Sequence, residues 1–523
     1  MINEVFQGCS MGDLIITAVQ RGGDRDAFIL GDVRVSYRQM GQKLSQIMQL
    51  FDHLGLQPGD TLATLSSNRP EAYFISAASY LLGLRVLWMN PMSSQADHCF
   101  QVEDAGVKWL FVDPSHFGER AKQIALSVTL PPMLVGLDFW EERANLASEM
   151  AKFTPKSLVS RSHVDDECAL VYTGGTTGKP KGVVHTHRVT VAMVMMQLAD
   201  FDWPHSPRFL AMTPITHAAG ALILPVLMRS GTVIMHPGFD VKNFCTLVEK
   251  HQVNCTFMVP TMIYVLLDSP LRQDYDLSSL ETVMYGAAPI LPARLQEAMS
   301  QFGPIFMQLY GQSEAPMAMT VLHKHEHDPV HFPHRLSSCG TPVIGIQLEL
   351  LRDDGQPVGL GEVGEICVKG PLVMKGYLNR PDENAHSYRH GWFYTGDLAR
   401  RDAEGYLYIV DRSKDMVITG GFNVYPREIE DVIAAHPAVA AVAVVGVPHE
   451  KWGEAVHAVI VWRAGCSVPW EDLAERVREQ KGAIHVPKFF HALPQLTTTG
   501  LGKIDKKAIR QHIQSEISIP TFN

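Results

Sequence analysis

Apolar and polar positions along the first half of the chain alternate between the helical and the strand period. Residues 36–54 carry apolar side chains at the spacing of one helix face, and Gly55 follows as a stop signal. Turn residues then precede an apolar run at 61–65 that predicts a buried strand. The same alternation predicts a helix at 240–251 and a strand at 255–259. Helices and strands in this order are typical of α/β layers around mostly parallel sheets.

The pattern changes around residue 411. Bulky residues alternate in a predicted strand at 405–410, and a charged turn follows at 411–415. Beyond it the sequence predicts a small α+β unit, with helices at 426–436 and 470–481 and strands at 439–445 and 456–462. We therefore expect an α/β fold: a large N-terminal domain of layered sheets and helices, residues 1–411, and a small α+β C-terminal domain, residues 412–523.

Composition narrows the class of protein. The 523 residues are 46% hydrophobic and 19% charged, as in ordinary globular proteins. No apolar run is long enough to cross a bilayer, and the first residues show no basic region followed by an apolar run, so we expect a cytoplasmic protein with no transmembrane segment. The net charge of −10 shows no general excess of positive charge for binding nucleic acid. The eight cysteines are scattered singly, which favours neither a disulfide framework nor a zinc site.

A loop rich in glycine and threonine at 171–182 is the most informative segment. Its glycines let backbone amides approach an anion, its threonines donate hydrogen bonds, and Lys179 and Lys181 supply charge. These groups suit a triphosphate. The loop is not a Walker motif, because Thr173 replaces its first glycine and Pro180 stands where a magnesium-binding hydroxyl is needed. Taken alone, the segment is also compatible with an ordinary surface turn.

This loop resembles the signature loop of the acyl-adenylate-forming superfamily, which includes acyl-CoA synthetases, luciferase-like enzymes and peptide-synthetase adenylation domains. Within it the chain is most similar to fatty-acid and aryl-acid CoA ligases. Gly174 stands where the family usually has serine, which removes one hydroxyl donor, although glycine also occurs there among fatty-acyl-CoA ligases. The resemblance implies that ATP and AMP are bound by Thr173, Gly174, Gly175, Thr176, Thr177, Gly178, Lys179 and Lys181.

Further segments resemble the family's motifs in the family's order. Residues 310–314 resemble Y-G-x-T-E, which implies that Tyr310 stacks on adenine and that Glu314 holds Mg²⁺ through a carboxylate oxygen. Residues 391–397 resemble W-x-x-T-G-D, which implies that Asp397 accepts hydrogen bonds from the ribose hydroxyls. A loop beginning at Gly286 resembles the one that flanks the adenine. The nucleotide residues implied here are Gly286, Ala287, Ala288, Tyr310, Gly311, Ser313 and Asp397.

Three C-terminal segments complete the resemblance. Residues 411–414 resemble the family's hinge, with Arg412 at the ribose and Lys414 as the pivot of the small domain. The glycine pair that opens 420–430 resembles the segment beside the thiol channel, and Lys503 resembles the lysine that reaches the reacting carboxylate and the α-phosphate. The implied coenzyme A channel is formed by Gly420, Gly421 and Phe422.

Residues 214–224 resemble the family stretch beside the acyl site. His217 is implied to lie there, and the alternative is a buried structural histidine. The small residues after it leave room for a bulky acid, and the stretch lacks the aspartate that would hold a substrate ammonium group. We therefore expect a pocket for an apolar acid, whether fatty, aromatic or alicyclic. The predicted pocket residues are His217, Ala218, Gly220, Ala221, Val259, Ala287 and Met317.

The resemblance implies ATP-dependent activation of a carboxylic acid to acyl-AMP, followed by thioester formation, with ATP, Mg²⁺ and coenzyme A as cofactors. Because charge builds up between two anions in the first step, cations must neutralise it there. The expected catalytic residues are Lys503, Glu314 and His217. The alternatives are an acyl-AMP ligase that loads a carrier protein, a luciferase-like oxygenase and an inactive binding protein of the same fold. A homodimer is left open.

Overall fold

The computed structural model describes residues 8–141, 143–173, 180–412, 415–419, 422–449, 451–498 and 504–517. Within these residues the strands form four sheets, of which three precede the break after residue 412 and the fourth follows it. The described ranges contain no helix with the length and apolarity that crossing a bilayer requires.

The first sheet is mostly parallel and carries antiparallel strands at both edges. It comprises β1 (Asp26–Leu30), β2 (Val33–Ser36), β9 (Arg208–Ala211), β10 (Thr232–Met235), β11 (Cys255–Met258), β12 (Thr282–Gly286), β13 (Phe306–Gln312), β14 (Ala315–Leu322) and β15 (Thr341–Pro342). The strand order is β15-β14-β13-β12-β11-β9-β10-β1-β2. The strand predicted at 255–259 is confirmed as β11 in the interior of this sheet.

The second sheet combines a parallel centre with an antiparallel hairpin. It comprises β3 (Thr61–Leu65), β4 (Arg85–Trp88), β5 (Val107–Val112), β6 (Met133–Gly136), β7 (Glu167–Thr173), β8 (Lys181–Thr186) and β18 (Gly376–Tyr377). The order is β18-β8-β7-β4-β3-β5-β6. The strand predicted at 61–65 is confirmed as β3, whose five residues are all buried.

Two smaller sheets follow. The third comprises β16 (Gln347–Leu351), β17 (Gly364–Lys369), β19 (Tyr388–Arg389), β20 (Trp392–Arg401) and β21 (Leu407–Arg412), and all its pairs are antiparallel. The fourth belongs to the C-terminal part and comprises β22 (Val417–Thr419), β23 (Phe422–Val424), β24 (Val439–His449), β25 (Gly453–Trp462) and β26 (Phe489–Ala492).

Helices cover the faces of these sheets. The α-helices are α1 (Met11–Gly22), α2 (Tyr37–His53), α3 (Pro70–Leu82), α4 (Gln95–Ala105), α5 (Pro114–Ser127), α6 (Leu146–Met150), α7 (His187–Asp200), α8 (Ala218–Met228), α9 (Val241–His251), α10 (Pro260–Asp268), α11 (Pro292–Phe302), α12 (Pro381–Ser387), α13 (Pro426–Ala434), α14 (Trp470–Lys481) and α15 (Lys506–Ile517). Short 3₁₀ turns lie at Pro270–Asp274, Lys324–Glu326, Pro333–Ser337 and Ala483–His485.

Side-chain caps explain where the predicted helices begin. The Ser36 hydroxyl accepts a hydrogen bond from the backbone N–H of Gln39, whose side chain accepts one from the N–H of Ser36. This reciprocal box satisfies two N–H groups that a helix start leaves open. Asp240 caps α9 with a single bond of this kind, accepting from the N–H of Asn243. The helices predicted at 36–54 and 240–251 are thus confirmed, each beginning one residue later.

The C-terminal part has a hydrophobic core of its own. Helices α13 and α14 pack on one face of its sheet around Val444 and Ile460, and α15 covers the other face through Ile509. The helix predicted at 470–481 is confirmed with those limits as α14. The fold is mixed α/β, with a large N-terminal part and a smaller C-terminal part, as the sequence predicts. A domain boundary between residues 411 and 412 stays a prediction.

Candidate active site

The ends of the glycine-rich loop are fixed by a β-hairpin. Strands β7 and β8 pair antiparallel, with Thr173 directly opposite Lys181. The next residue, Gly182, lies on the ring of Tyr172, and a β-carbon there would come within 2.9 Å of that ring. The hairpin therefore brings the first and last predicted loop residues face to face.

Lys181 is held between a carboxylate and an aromatic ring. Its Nζ lies 2.5 Å from an oxygen of Glu383, which belongs to the first turn of α12. The same Nζ lies 5.3 Å from the ring centroid of Tyr377, in cation–π contact. The side chain of Lys181 is only 17% exposed, so its charge acts in a partly desolvated site.

Glu314 lies in the tight turn between β13 and β14 and is 8% exposed. The Tyr377 hydroxyl donates to Oε1 of Glu314 at 2.9 Å. Burial first and the Glu314 charge second raise the pKa of Tyr377, so this hydroxyl stays protonated and acts as a donor. The backbone carbonyl of Glu314 accepts from the N–H of Met374 at 2.8 Å, which fixes the turn itself.

Tyr310 and Asp397, predicted at the adenine and the ribose, are in direct contact. The Tyr310 hydroxyl donates to Oδ2 of Asp397 at 2.6 Å, and Asp397 is only 5% exposed. Arg412 stands directly opposite Asp397 in the β20–β21 ladder. The predicted nucleoside-binding residues from three distant segments thus meet at one place.

Close backbone packing surrounds this turn. A β-carbon at Gly311 would lie 2.5 Å from the backbone nitrogen of Met317, and one at Gly286 would lie 2.4 Å from the carbonyl oxygen of Leu309. Ala287 and Met317 both have positive φ, at 65° and 63°. For residues with a side chain this conformation costs about 1–2 kcal/mol, and such strain clusters at functional sites. The sequence gives no signal for the strain at Met317.

The predicted acyl residues lie around the start of α8. His217 is the residue before that helix, and its Nδ1 lies 2.9 Å from the Thr216 hydroxyl. A β-carbon at Gly220 would lie 1.8 Å from the carbonyl oxygen of Ile215. A glycine is therefore required at the entry to α8, and the role of Gly220 in an acyl pocket stays a prediction. Partly buried residues that pack against the main core are Ala218, Ala221, Val259 and Met317.

Several predicted residues lie outside the described ranges, and their roles stay predictions. Phe422, the third predicted channel residue, opens β23 and is 55% exposed. For Arg412 only the backbone is described. The predicted residues outside the described ranges are Gly174, Gly175, Thr176, Thr177, Gly178, Lys179, Lys414, Gly420, Gly421 and Lys503.

Sequence reasoning missed Tyr377, Glu383 and Asn384, the residue that holds the backbone of Tyr377. The Asn384 amide brackets the backbone of Tyr377, accepting from its N–H at 2.6 Å and donating to its carbonyl at 3.0 Å. Strand β18 has only two residues, so the hydrophobic pattern carries no strand signal there. The contact with Glu314 joins residues 63 positions apart, which spacing alone could not predict.

Known proteins resemble this chain along almost its entire length. A medium/long-chain-fatty-acid–CoA ligase from Mycobacterium tuberculosis is 44% identical over 515 residues, which cover 95% of this chain and 89% of that protein. A feruloyl-CoA synthase from Amycolatopsis sp is 34% identical over 497 residues, which cover 95% of each. The names of both relatives match the fatty-acid and aryl-acid CoA ligases that the sequence motifs resemble.

Solved structures agree with the fold. An amide bond synthetase from Marinactinospora thermotolerans superposes with a TM-score of 0.90 at 28% identity, covering 96% of this chain and 99% of that one. An o-succinylbenzoate CoA synthetase from Bacillus subtilis, in complex with its acyl-adenylate intermediate, superposes with a TM-score of 0.82 at 28% identity, covering 95% and 97%. The family described as AMP-binding enzyme matches residues 16–378, and its C-terminal domain matches residues 428–503. The chain therefore belongs to the family of AMP-binding enzymes, as the resemblance to acyl-adenylate-forming proteins predicts.

Proposed function

We propose that the protein is an acid–CoA ligase that activates an apolar carboxylic acid with ATP and transfers the acyl group to coenzyme A. The observation that carries this proposal is the pair of contacts at the β13–β14 turn. Tyr310 at one end of the turn contacts Asp397, and Glu314 at the other end contacts Tyr377, which also holds Lys181. These contacts support a nucleoside site at Tyr310 and a phosphate site at Glu314, four residues further along the chain. A cytoplasmic location and the absence of a nucleic-acid partner stay predictions.

In the first step the carboxylate oxygen of the acid attacks the α-phosphorus of ATP. An acyl–phosphate bond forms, and the bond to the pyrophosphate oxygen breaks. Asp397, an ionised acceptor held by Tyr310, suits the ribose hydroxyls. Lys181 suits the phosphates, and Lys503 is assigned to the reacting carboxylate. The protein thus works by positioning and by charge, as in other phosphoryl transfers.

Glu314 fits a magnesium ion. Mg²⁺ is bound in nucleotide sites by one or two carboxylates, with phosphates and water supplying the remaining ligands. Glu314 offers a nearly buried carboxylate, and its Oε1 is already held by a hydroxyl. When bound, the ion would supply positive charge to the phosphate groups.

In the second step the thiol of coenzyme A attacks the acyl carbon. A carbon–sulfur bond forms as the thiol gives up its proton to the solvent, and AMP leaves with the electron pair of the carbon–oxygen bond. The thiol needs the space that Lys503 occupies in the first step, so residues 412–523 must turn about Lys414. Gly420, Gly421 and Phe422 are the residues assigned to the thiol channel. Such a domain movement is of the kind that limits turnover in many enzymes.

We assign the substrate to the carboxylic acids with a large apolar part. The ligase from M. tuberculosis is named for medium- and long-chain fatty acids and the Amycolatopsis enzyme for ferulate, and both of these acids have a large apolar part. Alanines flank Gly220 on α8, and the stretch 214–224 contains no charged side chain. We therefore expect fatty or aryl acids to be preferred over amino acids and short dicarboxylic acids.

The decisive experiment is product analysis by mass spectrometry. The protein is incubated with ATP, Mg²⁺ and fatty, aryl and amino acids, with and without coenzyme A. Acyl-CoA appearing together with AMP supports the proposal and identifies the acid. Acyl-AMP that accumulates whether or not coenzyme A is present would instead favour loading of a carrier protein. A preference for amino acids would contradict the assignment of the acid.

A further inference from the structure

Tyr377 contacts two charged groups of the site at once. Its hydroxyl donates to Glu314 at 2.9 Å, and its ring face lies 5.3 Å from the Nζ of Lys181. The opposite partner of Lys181 is the carboxylate of Glu383. One side chain therefore connects the carboxylate assigned to magnesium with the lysine assigned to the phosphates.

The backbone of Tyr377 is fixed from two sides. It pairs with Val183 of β8, two residues beyond Lys181, so the ring and the lysine rise from neighbouring strands. Asn384 holds both the N–H and the carbonyl of Tyr377. A β-carbon at Gly376 would lie 3.0 Å from the Asn384 side chain, so a glycine is needed for this approach. Tyr377 is thus a rigid support rather than a mobile surface side chain.

This support has a physical consequence for each charged group. A hydroxyl that donates to a carboxylate fixes the orientation of that carboxylate toward a cation. A ring face beneath an ammonium group attracts it electrostatically and so helps to hold its position, more strongly when the site is desolvated. Groups that are held in place before a ligand arrives cost little reorganisation when it binds.

We propose that Tyr377 is a positioning residue of the nucleotide site: its hydroxyl orients Glu314 toward Mg²⁺, and its ring holds Lys181 toward the phosphates of ATP. The inference rests on the proposed function, because that function assigns Mg²⁺ and ATP to this site. Tyr377 lies in none of the segments that carry the resemblance to the family, and its role follows from the contacts alone.

Two substitutions separate the two roles. Tyr377→Phe removes the hydroxyl and keeps the ring, whereas Tyr377→Leu removes both. ATP binding is measured by calorimetry at increasing Mg²⁺ concentration and again with the metal chelated, in the absence of acid and coenzyme A. For Tyr377→Phe we expect the Mg²⁺ concentration at half-saturation to rise about tenfold, as for other residues that orient a metal ligand. Its affinity for metal-free ATP should stay that of the wild type.

For Tyr377→Leu we expect the affinity for metal-free ATP to fall as well, because Lys181 loses the ring. The matched control is Tyr388→Phe. Tyr388 also senses the charge of Glu314, since burial first and that charge second raise its pKa, but its hydroxyl donates to the carbonyl of Met374 at 2.7 Å. The control should bind ATP with an unchanged Mg²⁺ dependence. Circular dichroism checks that each variant is folded.

The outcomes distinguish the inference from the proposed function. Wild-type Mg²⁺ dependence in Tyr377→Phe would overturn the role assigned to the hydroxyl, as would an equal loss of affinity with and without the metal. Unchanged metal-free binding in Tyr377→Leu would overturn the role assigned to the ring. A wild-type protein that binds ATP with Mg²⁺ but forms no acyl-AMP would contradict the proposed function and leave the role of Tyr377 supported.

Discussion

Replacing Asp397 by asparagine should weaken nucleotide binding without altering the shape of the site. The substitution removes a buried negative charge and keeps one acceptor oxygen for the Tyr310 hydroxyl, which now lies 2.6 Å from Oδ2. A hydrogen bond to a charged acceptor contributes about 1.5–3 kcal/mol, against about 0.5–1.5 kcal/mol for a neutral one. We therefore expect the binding free energy of the nucleotide to weaken by about 1–2 kcal/mol for each affected hydrogen bond to the ribose, which raises the Kd about 5–30-fold.

The assay is calorimetric titration with AMP and with ATP. Because Asp397 is assigned to the ribose, which both ligands carry, the two Kd values should rise by the same factor. The companion variant Tyr310→Phe keeps the Asp397 carboxylate and removes the hydroxyl that orients it. Its loss of nucleotide affinity should therefore be smaller than that of Asp397→Asn. Wild-type affinity for AMP in Asp397→Asn would refute the ribose assignment. A loss confined to ATP would show that Asp397 acts on the terminal phosphates instead.

Three further predictions concern stability and catalysis. Burial lowers the pKa of His187, His327 and His457 from 6.5 to about 4. Between pH 6.5 and about pH 4 the unfolded chain binds more protons than the folded chain. The free energy of unfolding should therefore fall as the pH drops through this window, by up to about 1.4 kcal/mol per pH unit for each histidine. Urea denaturation across this window tests the slope, which His457→Gln should make shallower; a pH-independent free energy would contradict it. Gly220→Ala should destabilise the fold by about 1–3 kcal/mol, because its β-carbon would overlap the Ile215 carbonyl. Gly238→Ala, where a β-carbon meets no atom within 4 Å, is the control, and equal unfolding midpoints would refute the overlap. Lys503→Ala should lose acyl-AMP formation but still convert added acyl-AMP to acyl-CoA, and adenylate formation at the wild-type rate would oppose the role given to Lys503.

The sequence predicted the elements whose signals are local. The helix that starts after Ser36 combines an apolar face with a capping box, and α9 combines one with an Asp240 cap. Both signals lie within a few residues, so the periodic pattern is enough to find the helices. The meeting of Tyr310 with Asp397 could be predicted only through the family motifs, because 87 positions separate the two residues.

Other features of the site depend on backbone geometry that no side-chain pattern encodes. Gly220 is predicted to line the acyl pocket, and the structure adds a separate reason for a glycine there, the tight entry into α8. Met317 has a positive φ where its backbone packs closely against Gly311. Both depend on backbone packing just inside a regular element, α8 for Gly220 and β14 for Met317, and the hydrophobic pattern of the element does not encode this packing.

The turn between β13 and β14 connects the two ends of the proposed nucleotide site, Tyr310 and Glu314. Gly311 leaves no space for a side chain beside Met317, so the turn is tightly packed. Asp397 on β20 is bonded to Tyr310, and Tyr377 on β18 is bonded to Glu314, so strands from two other sheets converge on this one turn. A nucleotide that contacts both ends would bridge three sheets. Because a ligand that binds only the folded chain stabilises it, this binding energy would act on the packing between the sheets as well as on the turn.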